Sequence, residues 1–217
     1  MSQSQAQLSA IIQQLEQARV MPILVSDDPE QAIRSVNTLA EHGFKTVELT
    51  LRTPNALSVV REVVRACPDL QIGVGTILNP QQLQEVQDTG ASFGISPGIT
   101  ENLVKAAAAS GFPFFPGVAN ASDVMLALEH GFQDLKLFPA DVLGGLNMVK
   151  ALSGPFPQVR FCLTGGVTAD NAKQILAHPK VLCVGGSWLC PAALMQAQDW
   201  AAISALAAQA ANDLVAA

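Results

Sequence analysis

Short runs of apolar, β-branched-rich residues recur along the chain, starting near Met21, Thr46, Gln71, Phe93, Phe114, Asp134, Arg160 and Val181. Successive starts lie about 20 to 26 residues apart, the length of one strand plus one helix. Between them lie helical patterns, as in Leu83, Val86 and Gln87 or Leu103, Val104 and Ala107. Thr53-Pro54 and Asn79-Pro80 each set a capping residue before a proline suited to the first helical position. Asn79 with Gln82, and Thr168 with Asn171, stand at the separation at which side chains cap one another's backbone. Helix ends repeat as well. Glu41-His42-Gly43-Phe44 and Glu129-His130-Gly131-Phe132 are near copies, and Gly90 and Gly111 also precede new strands, where glycine relieves a left-handed turn.

Eight strand–helix units predict a (β/α)8 TIM barrel, with Leu8 to Arg19 as an extra N-terminal helix ahead of the first strand. A doubly wound open sheet has the same alternation, which does not by itself distinguish closure from openness. No linker or low-complexity stretch interrupts the 217 residues, so one barrel domain over residues 1–217 is expected.

Composition narrows the partners. The chain is 49% hydrophobic and 14% charged, which fits a packed core rather than disorder. A net charge of −6 argues against nucleic acid or an anionic membrane surface as the main partner, while leaving room for a locally positive site that takes a small anion. No apolar run approaches the roughly 20 residues needed to cross a bilayer, and the polar start, Met1 to Gln7, lacks the pattern of a signal peptide. Cys67, Cys162, Cys183 and Cys190 form no CxxC pair and read as buried thiols of a cytoplasmic protein. His42, His130 and His178 precede glycine or proline and have no metal-ligand spacing, so no metal is expected.

One position breaks the hydrophobic pattern. Lys136 sits in Asp134-Leu135-Lys136-Leu137-Phe138-Pro139, a basic residue inside an otherwise buried strand. Desolvation disfavours an ammonium and so favours a neutral, nucleophilic amine, which points to carbonyl chemistry through a Schiff base. Side chains alternate along a strand, so Leu135 and Leu137 are expected on the helix side and Lys136 on the barrel axis. By the same parity Glu48, Thr50 and Arg52 share a face of the second strand, and Thr76 tips the third after Gly73-Val74-Gly75. Active sites of such barrels gather at the C-terminal strand ends, where Glu48, Arg52, Thr76 and Lys136 converge. Each has a plainer reading. Lys136 and Glu48 could be a purely structural ion pair, Arg52 a solvated loop residue, and Thr76 the start of the next loop.

Glycine supplies a second signal. Thr164-Gly165-Gly166 closes the seventh strand and Gly185-Gly186-Ser187 the eighth. Glycine lets backbone amides approach an anion, and the loops after strands seven and eight are the recurring phosphate site of this architecture. A single Gly-Gly pair is more often only a turn; two at these positions indicate phosphate.

Glu48-Leu49-Thr50-Leu51-Arg52-Thr53, Gly73-Val74-Gly75-Thr76, Ser96-Pro97-Gly98, Phe115-Pro116-Gly117, Leu135-Lys136-Leu137-Phe138-Pro139-Ala140, Thr164-Gly165-Gly166 and Gly185-Gly186-Ser187 occur in this order. Together they resemble the 2-keto-3-deoxy-6-phosphogluconate (KDPG) aldolase family, which includes 4-hydroxy-2-oxoglutarate (KHG) aldolases, over about residues 8 to 213. The resemblance implies a class I aldolase without metal or organic cofactor, assembled as a homotrimer. It implies Lys136 as the Schiff-base lysine and Glu48 as general acid and base. Arg52 and Thr76 would hold the keto-acid carboxylate, Pro97 and Phe138 would shape the pocket, and Thr164 would influence specificity. Gly165, Gly166, Gly186 and Ser187 would cradle phosphate. The expected reaction is cleavage of KDPG to pyruvate and glyceraldehyde 3-phosphate, the Entner–Doudoroff step, with 4-hydroxy-2-oxoglutarate to pyruvate and glyoxylate as a side activity. The alanine-rich end, residues 201–217, is a candidate for close packing between subunits.

Two rivals share the barrel. A sugar-phosphate isomerase or epimerase would use the same phosphate loops but needs paired acid–base groups or a metal, not an amine nucleophile. A non-catalytic sugar-phosphate-binding barrel would tolerate Lys136→Met without loss of affinity.

Overall fold

The computed structural model describes residues 3–214. Residues 215–217, the tail of the alanine-rich segment, lie outside the described residues, as do Met1 and Ser2 of the polar start. Strands and helices alternate as the hydrophobic pattern requires. The strands are β1 Val20–Leu24, β2 Thr46–Thr50, β3 Gln71–Gly75, β4 Phe93–Ile95, β5 Phe114–Phe115, β6 Gly117–Val118, β7 Asp134–Leu137, β8 Arg160–Leu163 and β9 Val181–Gly186. The helices are α1 Gln3–Ala18, α2 Pro29–Glu41, α3 Ala56–Ala66, α4 Pro80–Gln87, α5 Glu101–Ser110, α6 Ala121–Glu129, α7 Leu146–Ser153, α8 Ala169–Leu176, α9 Ala192–Gln196 and α10 Trp200–Leu214.

Nine strand segments arise from eight strands because Pro116 interrupts the fifth. Proline has no N–H for a ladder, yet its carbonyl still accepts from Lys136 N at 2.9 Å. β5 pairs with β4 on one side and β6 with β7 on the other, all in parallel. The strand order β5-β4-β3-β2-β1-β9-β8-β7-β6 therefore begins and ends on the two halves of one strand, and the sheet closes on itself. That closure excludes the doubly wound alternative.

Several local expectations hold. Asn79 caps α4 by accepting from Gln82 N with Pro80 behind it, but Gln82 Oε1 accepts from Leu78 N and not from Asn79, so only Thr168 and Asn171 form the expected reciprocal capping box, at α8. His42 and His130 are C-caps, each preceding a glycine in the left-handed region. The helix after β2 differs from expectation: its N-cap position is Asn55, which makes no side-chain cap bond, and not Thr53. The Thr53 hydroxyl is engaged elsewhere, donating to Ser26 O at 3.0 Å, and so ties this loop to the one after β1. The first helix also starts earlier than Leu8, running Gln3–Ala18.

Two apolar layers fix the barrel. Outside it, Val47, Leu49, Leu135, Leu137, Phe161 and Leu163 pack against the inner faces of the helices. Inside, Met21, Phe93, Ile95, Phe115, Cys162, Leu182 and Cys183 fill the lower half, and Ile11 and Leu15 of α1 close it from below. Phe93 and Phe115 meet edge to face at 5.6 Å, a favoured aromatic geometry. Arg160 fastens the closure, donating to Asp134 Oδ1 at 2.7 Å and to Glu16 on α1. A register shift between β8 and β9 places both Leu182 and Cys183 in the inner layer. With the lower half filled, space for a ligand remains only toward the C-terminal strand ends.

Candidate active site

The parity of β7 sends Leu135 and Leu137 outward and Lys136 to the axis. The parity of β2 sends Val47 and Leu49 outward and Glu48 inward. The two charged side chains meet there. Lys136 Nζ lies 3.2 Å from Glu48 Oε1 and 3.4 Å from Oε2, with the residues 4% and 0% exposed. An ion pair this deeply buried is costly to desolvate, so its retention inside the barrel calls for a use. The Phe138 ring centroid lies 5.5 Å from Nζ, within range of a cation–π contact. Leu15, Met21, Ile95, Phe115 and Cys162 form an apolar floor beneath the lysine. In that floor Cys162 and Cys183 face each other across adjacent strands. A hydrogen bond to Cys162 and burial together hold the Cys183 thiol well above its ordinary range.

Above the pair a cleft opens at the strand ends. Its walls bring together Arg52, Lys136, Phe138, Thr164, Gly165, Gly166 and Ser187 from four different strand ends. Arg52 is exposed and donates from Nε to Thr76 Oγ1 at 3.3 Å. Thr76 takes φ 67°, a left-handed conformation that is a true outlier for a β-branched residue. Thr164 is buried, and its Oγ1 is the one buried side-chain polar atom without a hydrogen-bond partner among the described residues. A hydroxyl left in that state at a cleft wall is poised for a ligand.

The glycine loop has a built geometry. Gly165 and Gly166 adopt φ 90° and 81°, which only glycine takes without strain, and Asn171 Nδ2 donates to Gly166 O at 3.0 Å. The capped start of α8 comes directly after, with its positive end toward the loop. Asp141 packs against Gly166, adding an acidic edge to the loop.

Four expected residues lie off the cleft wall: Glu48 and Thr76 meet it only through their partners Lys136 and Arg52, and Pro97 and Gly186 pack elsewhere. Pro97 packs its backbone on Gly117, and the side of Gly186 that a side chain would occupy is filled by Trp188 and Val20. Gly185 lines the cleft beside Ile23 and Val167, three residues to which the sequence motifs assign no role. The strand parity of Met21 and Ile23 was the available sign for Ile23; nothing in a Gly-Gly pair tells which glycine faces inward. Ser96, the first residue of the Ser-Pro-Gly motif, accepts on Oγ from Gly117 N at 3.1 Å, joining the loop after β4 to the broken fifth strand.

A buried amine, a carboxylate in contact with it, an arginine–threonine pair and an anion-ready glycine loop can together bind an anionic carbonyl compound, form an imine and move protons. Comparison with known proteins agrees. A family model described as KDPG and KHG aldolase matches residues 11–206. A KHG/KDPG aldolase of Escherichia coli is 44% identical over 191 residues, 88% of this chain and 90% of that protein. A 2-dehydro-3-deoxy-phosphogluconate aldolase of Pseudomonas aeruginosa is 43% identical over 194 residues, 89% of this chain and 88% of that protein. Among solved structures, a KDPG aldolase of Legionella pneumophila, with pyruvate captured at low pH as a covalent carbinolamine, superimposes with a TM-score of 0.89 at 38% identity, covering 94% of this chain and 97% of that one.

Proposed function

The chain belongs to the KDPG and KHG aldolase family, and we propose that Lys136 and Glu48 carry its reaction, the cleavage of KDPG to pyruvate and glyceraldehyde 3-phosphate. It is a class I aldolase, a carbon–carbon lyase that works through a Schiff base. The observation that carries the assignment of roles is the contact of Lys136 Nζ with Glu48 Oε1 at 3.2 Å, at the base of the cleft that Lys136 lines.

At that distance Glu48 can take the ammonium proton and leave a neutral amine. The amine attacks the C2 carbonyl of the keto acid; Glu48 returns its proton to the carbinolamine hydroxyl, which leaves as water, giving an iminium ion and a free carboxylate. Glu48, through a water, then removes the proton of the C4 hydroxyl. The C3–C4 bond breaks, its electron pair passes into the iminium as an enamine, and glyceraldehyde 3-phosphate leaves. Glu48 returns a proton to C3, and hydrolysis of the resulting iminium releases pyruvate and restores Lys136. The iminium serves as electron sink, and positioned proton transfer of this kind contributes about 10²- to 10⁴-fold.

Arg52 and Thr76 are assigned the keto-acid carboxylate, supported by the bond between them at the mouth of the cleft. Phe138 bounds the keto acid beside the amine, and Pro97 shapes the neighbouring loop. Thr164, with its free buried hydroxyl, is assigned a substrate hydroxyl and hence a part in specificity. Gly165, Gly166, Gly186 and Ser187 are assigned the phosphate, through backbone amides and the Ser187 hydroxyl. A KDPG aldolase of Zymomonas mobilis crystallised with 3-phosphoglycerate, 41% identical with a TM-score of 0.88, supports a phosphorylated ligand on this scaffold.

The match over residues 11–206 supports reading residues 1–217 as one catalytic domain. A homotrimer is supported by the family resemblance. Four buried free thiols support a cytoplasmic setting. Turnover of KDPG, its galactonate-derived epimer and 4-hydroxy-2-oxoglutarate, measured side by side as pyruvate release, tests the reading. Higher kcat/KM for KDPG is expected; equal or higher kcat/KM for the unphosphorylated compound would overturn the phosphate assignment.

A further inference from the structure

Glu48 owes its place beside the lysine to a missing atom on the neighbouring strand. Glu48 and Gly75 both point into the barrel, from β2 and β3, and the Glu48 carboxylate lies over the Gly75 Cα. A Cβ at Gly75 would overlap Glu48 Oε1 and stand 2.7 Å from Cδ and 3.0 Å from Cγ. Oε1 is the oxygen closest to Lys136 Nζ. Gly75 does not have a left-handed φ, so its backbone accepts alanine and the obstacle is contact alone. The other inward glycine of β3 provides a contrast. A Cβ at Gly73 would meet the Phe93 ring, not Glu48. β3 thus makes room twice, once for core packing and once for the carboxylate.

We propose that Gly75 is a positioning residue for the aldol reaction, reserving the space in which the Glu48 carboxylate is held against Lys136. Next in the chain is Thr76, whose left-handed backbone carries the hydroxyl that Arg52 donates to. The strand tip therefore sets the carboxylate and one anchor of the keto acid in a single turn. A methyl group at position 75 turns Glu48 aside while leaving the amine of Lys136 in place. The proposal rests on Glu48 acting as acid and base, and it predicts a divided phenotype: the imine still accumulates, by slower proton exchange with solvent, while the proton transfers of the aldol step fail.

The test is a cycle of four proteins: wild type, Gly75→Ala, Glu48→Ala and Glu48→Ala/Gly75→Ala. Each is measured for kcat and KM, for exchange of pyruvate methyl protons with deuterated water, for borohydride trapping of pyruvate, and for thermal unfolding. Gly75→Ala is expected to lower kcat and methyl exchange by about 10²-fold or more, the scale of lost acid–base help, with KM within about threefold and trapping retained. In the Glu48→Ala background the same substitution is expected to change kcat by less than about threefold, because residues that act through one another are not additive. Should Gly75→Ala fail to fold, the double variant, in which the methyl meets space vacated by the side chain, is expected to fold like Glu48→Ala. Full activity of Gly75→Ala, additive losses, or an unfolded double variant beside a folded Glu48→Ala would overturn the proposal. Undiminished exchange in Glu48→Ala alone would instead overturn the role given to Glu48.

Discussion

Lys136 Nζ and Glu48 Oε1 lie 3.2 Å apart although 88 residues separate them in the chain, and neither side chain is more than 5% exposed. The contact exists because β2 and β7 present opposite charges to one axis at one height, above a floor that is wholly apolar. A structural ion pair and a catalytic pair have the same resting geometry. They differ in how the protein responds when one partner is replaced.

Replacing the carboxylate without emptying its place separates the two. Glu48→Gln is expected to lower kcat for KDPG cleavage by about 10²- to 10⁴-fold while pyruvate is still trapped on Lys136 by borohydride. Steady-state kinetics beside mass spectrometry of the trapped protein check this; unchanged kcat would reduce Glu48 to a counter-charge.

Removing the amine should cost stability as well as activity. Lys136→Met leaves the Glu48 carboxylate buried and unpaired, and breaking such pairs typically costs about 3 to 5 kcal/mol. The double variant Glu48→Gln/Lys136→Met is expected to regain part of that loss. Denaturant unfolding of both proteins measures it.

Thr164 offers a case in which stability and function move in opposite directions. Its buried Oγ1 has no partner, so Thr164→Val removes an unsatisfied hydroxyl and is expected to stabilise the protein by about 1 kcal/mol. If the hydroxyl is reserved for substrate, kcat/KM for KDPG falls in the same variant. Unfolding and kinetics on one preparation decide it.

The buried thiols make an alkaline limit. Cys183 is held well above the ordinary thiol value of 9.0, through its hydrogen bond to Cys162 and through burial. A raised thiol stays protonated in the folded state while the unfolded chain ionises. Stability from this source is complete below about pH 9 and declines as pH rises beyond it. Cys183→Ala is expected to show a shallower alkaline loss than wild type when unfolding free energy is followed from pH 7 to pH 10.

Much of this architecture was legible from residue order because period and parity are local properties. The β7 run Asp134 to Leu137 alternates strictly enough to send Lys136 inward before any coordinate is known, and Asn79-Pro80 and Thr168 to Asn171 cap the helices their spacing announces. Closure was not local. It depends on Pro116 splitting one strand so that each half pairs with a different neighbour. Thr53 has the same signature as Asn79, yet its hydroxyl goes to Ser26 O, a partner 27 residues away. The roles of Gly75 and Gly185 were illegible for another reason. What matters there is the space a side chain would have filled, against Glu48 at one position and Thr164 and Ile23 at the other. A letter code does not show which neighbour needs that room.

The central claim is that Lys136 forms a covalent imine with the keto acid. Lys45, Lys105, Lys150 and Lys173 are exposed and serve as internal controls in the same chain. Incubation with pyruvate and sodium borohydride, then proteolysis and mass spectrometry, should find one reduced pyruvate adduct per chain. The adduct should sit on the peptide containing Lys136 and be absent from Lys136→Arg, whose guanidinium cannot form the imine. A folded, substrate-cleaving protein that carries no adduct, or carries it on another lysine, would contradict the account.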